Sequence, residues 1–184
     1  MVSDNGFAVC VYCSASTADA GALALAAAVG TEIGRRGWGL VSGGGNVSMM
    51  GAVAHAARAA GAHTIGVIPK HLVHKEVADV DSDELIVTDT MRERKQIMED
   101  RADAFLTLPG GIGTLEEFFE TWTGGFLGQH EKPVVVLDLD DHYRGLFEWI
   151  DELYGRGFVT DYSLSRITVT KDFAEAFAAL RPEL

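Results

Sequence analysis

The chain is short of positive charge. Its 184 residues contain 15 Lys and Arg against 27 Asp and Glu, and the formal net charge is −12 at pH 7. A protein that binds nucleic acid needs a basic surface to displace the counterions of the phosphates, so this composition predicts no nucleic-acid partner. The same charge repels small anions, and any bound phosphate must therefore be held by local amides and a few placed cations.

Long apolar runs are missing as well. The longest run of small apolar residues, 22–30, ends at Thr31 and Glu32, well short of the roughly 20 residues that span a bilayer. Residues 1–5 contain no basic segment that leads into an apolar stretch, which a secretory leader requires. We therefore predict a cytoplasmic protein without a membrane partner.

Cysteine is limited to Cys10 and Cys13. Their C-x-x-C spacing suits a redox or metal pair, but residues 8–13 are mostly apolar and predict a buried strand. Residues three apart in a strand point to opposite faces and lie roughly 10 Å apart, too far for a disulfide. We predict packed, reduced thiols.

Motifs for several common chemistries are also absent. Neither glycine cluster, 43–45 or 110–113, completes the dinucleotide fingerprint G-x-G-x-x-G or continues into the Lys-Ser or Lys-Thr of a Walker loop. No G-x-S-x-G elbow marks a serine hydrolase. His71 and His74, with Glu76 nearby, have no third ligand at a recognisable spacing, so we predict no metal site. NAD and ATP chemistry are not expected.

Short apolar runs alternate with helical stretches along the whole chain. The predicted strands are 7–13, 38–42, 63–68, 85–88, 104–108, 134–137 and 167–170, and the predicted helices are 18–36, 48–60, 91–100, one beginning beyond Gly113, 143–154 and 173–180. This alternation is typical of parallel β-α-β units, and continuous apolar strands indicate a sheet covered on both faces. The sequence therefore predicts one domain over residues 1–184, an α/β fold with a single doubly wound, Rossmann-like, mostly parallel sheet and helices on both faces.

Both glycine clusters follow predicted strands. In a doubly wound fold, ligands bind beyond the carboxyl ends of the strands at a topological switch point, where we expect both clusters to lie. The second cluster also opens a helix, whose free amides and dipole suit an anion, and Thr114 can contact a phosphate oxygen. Alternatively, Thr114 and Glu117 form a capping box, in which Glu117 only bonds back to the Thr114 amide.

The helix that begins at Met91 has an unusual face. Met91, Arg94, Lys95 and Met98 share this face, so that two cations lie where apolar residues are expected. One explanation is that the long side chains extend past the core to solvent. The other is a guanidinium turned inward towards an anionic ligand. Cations in a first helical turn oppose the helix dipole, so we expect a compensating group nearby.

Taken together, these segments resemble a known family. Residues 109–117 match the PGGxGTxxE signature of the LOG family, and residues 91–98 resemble its M-x-x-R-K-x-x-M segment. Further likeness lies in residues 9–16, 66–69 and 127–133, so that the resemblance extends over residues 9–158. LOG proteins are cytokinin riboside 5′-monophosphate phosphoribohydrolases, and many were formerly labelled possible lysine decarboxylases.

The resemblance implies a reaction and a set of site residues. It implies hydrolysis of the N-glycosidic bond of a purine nucleoside 5′-monophosphate, AMP or an N6-modified AMP, without a cofactor and by a homodimer. Arg94 and Glu117 correspond to the catalytic pair. Glu117, expected to be ionised at its helix end, would stabilise positive charge on the ribose or activate water. The implied substrate-binding residues are Gly44, Gly45, Glu76, Met91, Lys95, Gly110, Gly111, Gly113 and Thr114.

One residue departs from the family pattern, and one surface suits a dimer. Ser48 stands where the family's first glycine cluster, GGGxxGLMG, has a glycine, which adds a hydroxyl beside the expected ligand and leaves the substrate preference open. In the helix from Thr114 to Phe126 we predict exposed aromatic side chains at Phe118, Phe119 and Trp122.

Two other interpretations remain open. A nucleotide-binding sensor or carrier on the same fold would share the glycine turn but need neither Arg94 nor Glu117. An amino-acid decarboxylase would normally hold pyridoxal phosphate on a lysine, and Lys95 alone of the five lysines lies near the predicted cleft.

Overall fold

Seven parallel strands form a single sheet in the computed structural model, which describes residues 6–181. The strands are β1 (Ala8–Tyr12), β2 (Gly39–Ser42), β3 (Thr64–Pro69), β4 (Glu84–Thr88), β5 (Ala104–Thr107), β6 (Val134–Leu137) and β7 (Thr168–Thr170). Their order across the sheet is β4-β3-β2-β1-β5-β6-β7, and every neighbouring pair is parallel. Residues 1–5, which led us to predict no secretory leader, lie outside the described residues, as do residues 182–184.

Helices cover both faces of the sheet. They are α1 (Ala20–Arg35), α2 (Ser48–Ala59), α3 (Met91–Arg101), α4 (Ile112–Phe126), α5 (Arg144–Gly155), α6 (Asp161–Ser165) and α7 (Phe173–Leu180). Successive strand residues point to opposite sides, so Val9 joins the core under α1, α2 and α7, whereas Cys10 joins the core under α3, α4 and α5. The predicted doubly wound α/β fold is confirmed. Within residues 6–181, none of the helices is both long and apolar enough to cross a bilayer.

The helices α1 and α2 pack closely against each other. A Cβ on Gly30 would lie 2.2 Å from the Val53 carbonyl oxygen, and one on Gly34 would lie 2.5 Å from the Ala60 Cβ. Glycine at these two positions removes the obstacle and lets the two backbones approach. This face of the sheet is therefore covered by two interlocked helices.

The aromatic residues of α4 lie deeper than predicted. Phe118 and Trp122 are only 1% and 7% exposed, and Phe119 is half-buried. The Trp122 indole nitrogen donates to the Ser163 carbonyl oxygen at 2.7 Å. The predicted exposure of Phe118 and Trp122 is wrong because α5 and α6 pack over this side of α4. The short helix α6 was not predicted from the sequence.

Both cysteines are free and buried. Cys10 and Cys13 form no disulfide, and burial raises the pKa of each thiol. They therefore stay protonated near neutral pH. The prediction of packed, reduced thiols is confirmed.

The centre of the sheet is the topological switch point. From β1 the chain runs outward through β2, β3 and β4, and then returns to β5 on the other side of β1. The connection after β1 leads to α1 on one face, and the connection after β5 leads to α4 on the other. Because these connections diverge, a crevice opens between them at the carboxyl ends of the strands.

Candidate active site

A cavity of about 250 Å³ opens in this crevice. Its walls come from the loop after β1, the end of β2, the segment after β3, the buried side of α3 and the start of α4. The lining residues are Val11, Cys13, Ser14, Ala15, Ser16, Gly43, Met50, Leu72, Glu76, Met91, Arg94, Gly111, Ile112, Gly113, Thr114, Glu116 and Glu117. The cavity thus lies at the strand ends, where a ligand is expected in this fold.

Arg94 is a buried cation with few partners. Its residue is 5% exposed, its Nη2 donates to the Gly43 carbonyl oxygen at 3.2 Å, and its Nη1 contacts the Met91 sulfur at 3.7 Å. The Arg94 Nε has no hydrogen-bond partner within residues 6–181. A guanidinium carries five N–H donors, so several remain for a ligand. Of the two explanations offered for this face of α3, the inward guanidinium is therefore the one observed for Arg94.

The first turn of α3 contains the group that compensates its cations. The Thr90 hydroxyl oxygen accepts from the Glu93 amide at 3.2 Å, and the Glu93 carboxylate accepts from the Thr90 amide at 3.2 Å. This reciprocal pair is a complete capping box, and it places a negative charge at the positive end of the helix dipole. The expected compensating group is therefore Glu93.

The start of α4 differs from both predictions made for it. The helix begins at Ile112 with Gly111 as its N-cap, and among residues 6–181 no side chain caps it. The predicted start beyond Gly113 is wrong, and so is the alternative of a capping box between Thr114 and Glu117. The first-turn amides of α4 consequently have no side-chain cap, and the positive end of the helix dipole faces the cavity.

The three glycines of this turn serve two different purposes. A Cβ on Gly110 would lie 2.1 Å from the Thr114 hydroxyl oxygen, so Gly110 allows the buried Thr114 side chain to pack against the turn. A Cβ on Gly111 or Gly113 would meet nothing within 4 Å, and both residues line the cavity. Packing therefore requires glycine at 110, whereas the space above Gly111 and Gly113 is open to a ligand.

Glu117 faces Arg94 from the second turn of α4. Its Oε1 lies 3.9 Å from the Arg94 Nη2, and 12% of its side chain is exposed. Burial raises the pKa of Glu117 to about 7, although Arg94 opposes this shift, while Glu116 and Glu76 add to it. The expected carboxylate at the helix end is therefore only partly ionised near pH 7, because burial disfavours its charge.

Comparisons with known proteins match most of the chain. A family model described as possible lysine decarboxylase matches residues 50–180. A cytokinin riboside 5′-monophosphate phosphoribohydrolase from Mycobacterium tuberculosis is 56% identical over 174 residues, which cover 95% of this chain and 93% of that protein. The cytokinin riboside 5′-monophosphate phosphoribohydrolase LOG of Oryza sativa subsp. japonica is 44% identical over 154 residues, covering 83% of this chain and 64% of that protein. The chain belongs to the LOG family.

Solved structures with the same fold include proteins that bind a molybdenum cofactor. The molybdenum cofactor carrier protein from Chlamydomonas reinhardtii has a TM-score of 0.71 and 25% identity, covering 95% of this chain and 96% of that one. The molybdenum cofactor binding protein from Rippkaea orientalis has a TM-score of 0.63 and 27% identity, covering 89% of this chain and 87% of that one.

Three glycines implied by the LOG resemblance, Gly44, Gly45 and the packed Gly110, do not line the cavity. Gly44 has a φ of +72° and packs against β3, where a Cβ would lie 3.0 Å from the Val67 amide nitrogen. Gly45 pairs with Ala78 in an isolated antiparallel bridge. The cavity is lined instead by Gly43. As the first residue after β2, Gly43 had the strand-end position that could have identified it.

The other implied contacts of the LOG pattern divide into two groups. Glu76 and Met91 line the cavity, and the Glu76 Oε2 is buried without a hydrogen-bond partner in the described part of the chain. Lys95 does not line the cavity, because it forms ion pairs with Glu116 and, at 2.8 Å, with Glu120 on α4. Burial disfavours the Lys95 charge, but these two carboxylates raise its pKa overall. Lys95 therefore links α3 to α4.

Ser48, the departure from the LOG pattern, turns away from the cavity. It has a φ of +51°, in the left-handed region that favours glycine. Its hydroxyl donates to the Thr17 carbonyl oxygen at 2.6 Å and ties the start of α2 to the loop after β1. Residues 13–16 of that first loop line the cavity but were not among the predicted site residues. Their place after the central strand is the signal that could have revealed them.

Proposed function

We propose that this LOG-family protein hydrolyses the N-glycosidic bond of a purine nucleoside 5′-monophosphate and releases the free base and ribose 5-phosphate. The observation that carries the proposal is the facing pair Arg94 and Glu117, 3.9 Å apart. Both line a cavity that also contains an uncapped helix N-terminus. Relatives that are 56% and 44% identical are named for this reaction.

The 5′-phosphate binds at the start of α4. A helix N-terminus attracts an anion through its free N–H groups and the positive end of its dipole. Gly111 and Gly113 leave room for phosphate oxygens to approach the backbone, and Thr114 contributes a hydroxyl held in place against Gly110. This local site retains a phosphate despite the net charge of −12 on the chain.

Glu117 acts on the sugar. Cleavage passes through an oxocarbenium-like state in which positive charge builds on the ribose. An ionised Glu117 stabilises that charge and accepts a proton from the attacking water. Because its pKa is about 7, the carboxylate is available at neutral pH and can also take up and return a proton there.

Arg94 and two neighbours bind the rest of the nucleotide. The unused donors of the Arg94 guanidinium orient the nucleotide and help the departing purine to accept electrons. Met91 offers the purine a polarisable surface. The unpartnered Glu76 Oε2 accepts a hydrogen bond from a sugar hydroxyl, which satisfies a buried acceptor.

Several finer assignments stay predictions from the sequence. The predicted substrate is AMP or an N6-modified AMP, and hydrolysis of the latter would activate a cytokinin. The reaction is predicted to need no cofactor. The chain is predicted to form one domain over residues 1–184, to be cytoplasmic and to have no nucleic-acid partner.

A homodimer is supported by apolar side chains on the surface near the end of α4. Phe126, Leu127, Phe158 and Tyr162 are all at least 39% exposed, and burying such a patch favours association. Sedimentation velocity should show a dimer for the wild-type protein and a weaker one for Phe158→Ser. A monomeric wild-type protein would contradict this proposal.

The reaction is tested by chromatography of purified protein incubated with AMP or with an N6-prenylated AMP. We expect release of the free base, and Glu117→Gln should lower kcat by at least about 10²-fold. Glu152→Gln on the exposed side of α5 is the matched control and should retain the wild-type rate. Full activity in Glu117→Gln would exclude a catalytic role for Glu117.

A non-catalytic nucleotide carrier is the second candidate, and the likeness to a molybdenum cofactor carrier favours it. Calorimetric binding of AMP without turnover over hours would support that alternative. The decarboxylase alternative fits poorly, because a Schiff-base lysine needs a lowered pKa. Lys95 instead has a raised pKa and lies outside the cavity lining.

A further inference from the structure

The loop after β6 is folded tightly around one buried carboxylate. Asp138 is 4% exposed, and its two oxygens accept the main-chain amides of His142 at 2.7 Å and Tyr143 at 2.9 Å. Asp141, inside the same loop, adopts a φ of +59°, which completes the turn. Residues 138–143 therefore hold His142 and Tyr143 in fixed positions.

Both of these side chains reach the turn between β5 and α4. The buried Tyr143 hydroxyl donates to the Leu108 carbonyl oxygen at 2.8 Å, and burial raises its pKa, so it keeps its proton. The His142 Nε2 lies 2.9 Å from the Gly110 carbonyl oxygen. Since a carbonyl only accepts, Nε2 must carry the proton of this hydrogen bond. Two carbonyls of the glycine turn are thus tied to the loop after β6.

The His142 bond sets the direction of the next amide. In a planar trans peptide, the carbonyl and the N–H point in opposite directions. Holding the Gly110 carbonyl towards His142 therefore turns the Gly111 N–H away from His142. Gly111 lies between the candidate active site and a neighbouring cavity and lines both, whereas His142 lines only the neighbouring cavity. The Gly111 N–H consequently faces the position proposed for the phosphate.

We propose that His142 and Tyr143 are positioning residues that hold the glycine turn from behind and keep the Gly111 N–H directed at the 5′-phosphate. This inference rests on the proposed function, in which the turn binds phosphate. Glycine has more backbone freedom than any other residue, so successive glycines at 110 and 111 would sample several amide directions without a restraint. The two hydrogen bonds supply that restraint before the ligand arrives, which reduces the ordering that binding requires.

The amide resonance of Gly111 gives a direct test in ¹⁵N NMR titrations with ribose 5-phosphate and, separately, with inorganic phosphate. His142→Phe removes the hydrogen bond at an exposed position, and we expect roughly fivefold to tenfold weaker binding of both ligands with an unchanged Tm. His142→Gln keeps a donor and should bind within about twofold of wild type. His55→Phe, at an exposed histidine on α2, is the matched control and should bind like wild type.

Enzyme kinetics supply the readout that a purely structural role would not change. In His142→Phe, the ratio of kcat/KM for AMP to kcat/KM for adenosine should fall by about the same factor as the phosphate affinity, because only AMP carries the phosphate. A general loss of structure would lower both rates and the Tm together.

The outcomes separate this inference from the proposed reaction. Unchanged phosphate affinity in His142→Phe, or an equal loss in His142→Gln, would overturn the positioning role even if AMP is cleaved. A wild-type protein that cleaves no nucleotide, yet binds ribose 5-phosphate with an affinity that depends on His142, would overturn only the proposed reaction. A Gly111 amide that does not respond to either ligand in the wild-type protein would overturn the inference itself.

Discussion

The Arg94 guanidinium lies directly over Gly43, so that a Cβ at position 43 would come within 1.8 Å of the Arg94 Nη2. The same nitrogen donates to the Gly43 carbonyl oxygen at 3.2 Å and lies 3.9 Å from the Glu117 carboxylate. The absence of a side chain at Gly43 therefore determines where the buried cation sits relative to its acidic partner.

Gly43→Ala should displace the cation without unfolding the protein. The three nearest atoms all belong to the ends of the Arg94 and Met50 side chains, which can move. A misplacement of about 1 Å in a catalytic group costs up to about 10²-fold in rate, so kcat/KM for AMP should fall by a factor of this order. Steady-state base release and thermal denaturation measure the two effects. A wild-type rate in Gly43→Ala would show that the position of Arg94 does not matter.

The activity should depend on the ionisation of Glu117. If the carboxylate is the active form, kcat rises with pH through about 7 and then levels off. We choose kcat because the substrate phosphate itself titrates near pH 6, and this affects kcat/KM. The residual kcat of Glu117→Gln should lack this rise. A wild-type kcat that is flat between about pH 5.5 and 8.5 would exclude the carboxylate role.

Removing the Glu117 charge should stabilise the fold at high pH. The pKa of Glu117 is raised from 4.5 to about 7 in the folded protein, so the native state binds this proton more tightly than the unfolded chain does. Ionisation therefore lowers the free energy of unfolding, with no penalty below about pH 4.5 and the full penalty above about pH 7. In urea denaturation, the free energy of unfolding of Glu117→Gln should exceed that of wild type by up to about 3 kcal/mol at pH 8. At pH 4.5 the difference should be close to zero. The exposed Glu152→Gln variant should show no such dependence, and a constant difference for Glu117→Gln would contradict the raised pKa.

Gly113→Ala tests whether the open space above the first turn of α4 is used by the ligand. A Cβ there meets nothing within 4 Å, and alanine favours a helix over glycine by roughly 1 kcal/mol, so the Tm should be unchanged or higher. The added methyl should crowd the phosphate and raise the KM for AMP by at least about tenfold. Gly145→Ala on α5, which also meets nothing within 4 Å, is the control with the same change in helix propensity. Equal KM values for the two variants would show that the phosphate does not bind next to Gly113.

Most of the fold could be predicted because its signals are local. The strand 134–137 and the helix 173–180 agree with the structure at both ends, since each is a continuous apolar or amphipathic run between clear breaks. The helix Asp161–Ser165 was missed because five residues are too few to show a helical period. Its capping box at Thr160 and Ser163 has serine in place of the usual Glu or Gln, so it gave little signal.

The site was less predictable because its decisive properties come from contacts between distant segments. Thr90 with Glu93 and Thr114 with Glu117 have the same capping spacing, and only the first pair forms a box. Whether the second pair forms a box depends on where the chain leaves β5 and begins α4. The spacing of residues in the sequence does not determine that position. The raised pKa of Glu117 likewise depends on burial between α3 and α4. The methionine neighbours of Arg94 marked its face as unusual, but they left open whether its side chain extends to solvent or turns inward.

The contacts of Gly30 and Gly34 have a consequence for the shape of the cavity. They lock α1 to α2, and the Ser48 hydroxyl joins the start of α2 to the loop that precedes α1. That half of the cavity therefore acts as a fixed wall. The opposite side is formed by residues 70–83, which carry Glu76 and are bonded to the loop after β2: the Asn46 amide donates to the Glu76 carbonyl oxygen, and the Asp79 amide donates to the Gly44 carbonyl oxygen. Both sides of the cavity are thus anchored to the same loop, and its shape is built before a ligand arrives.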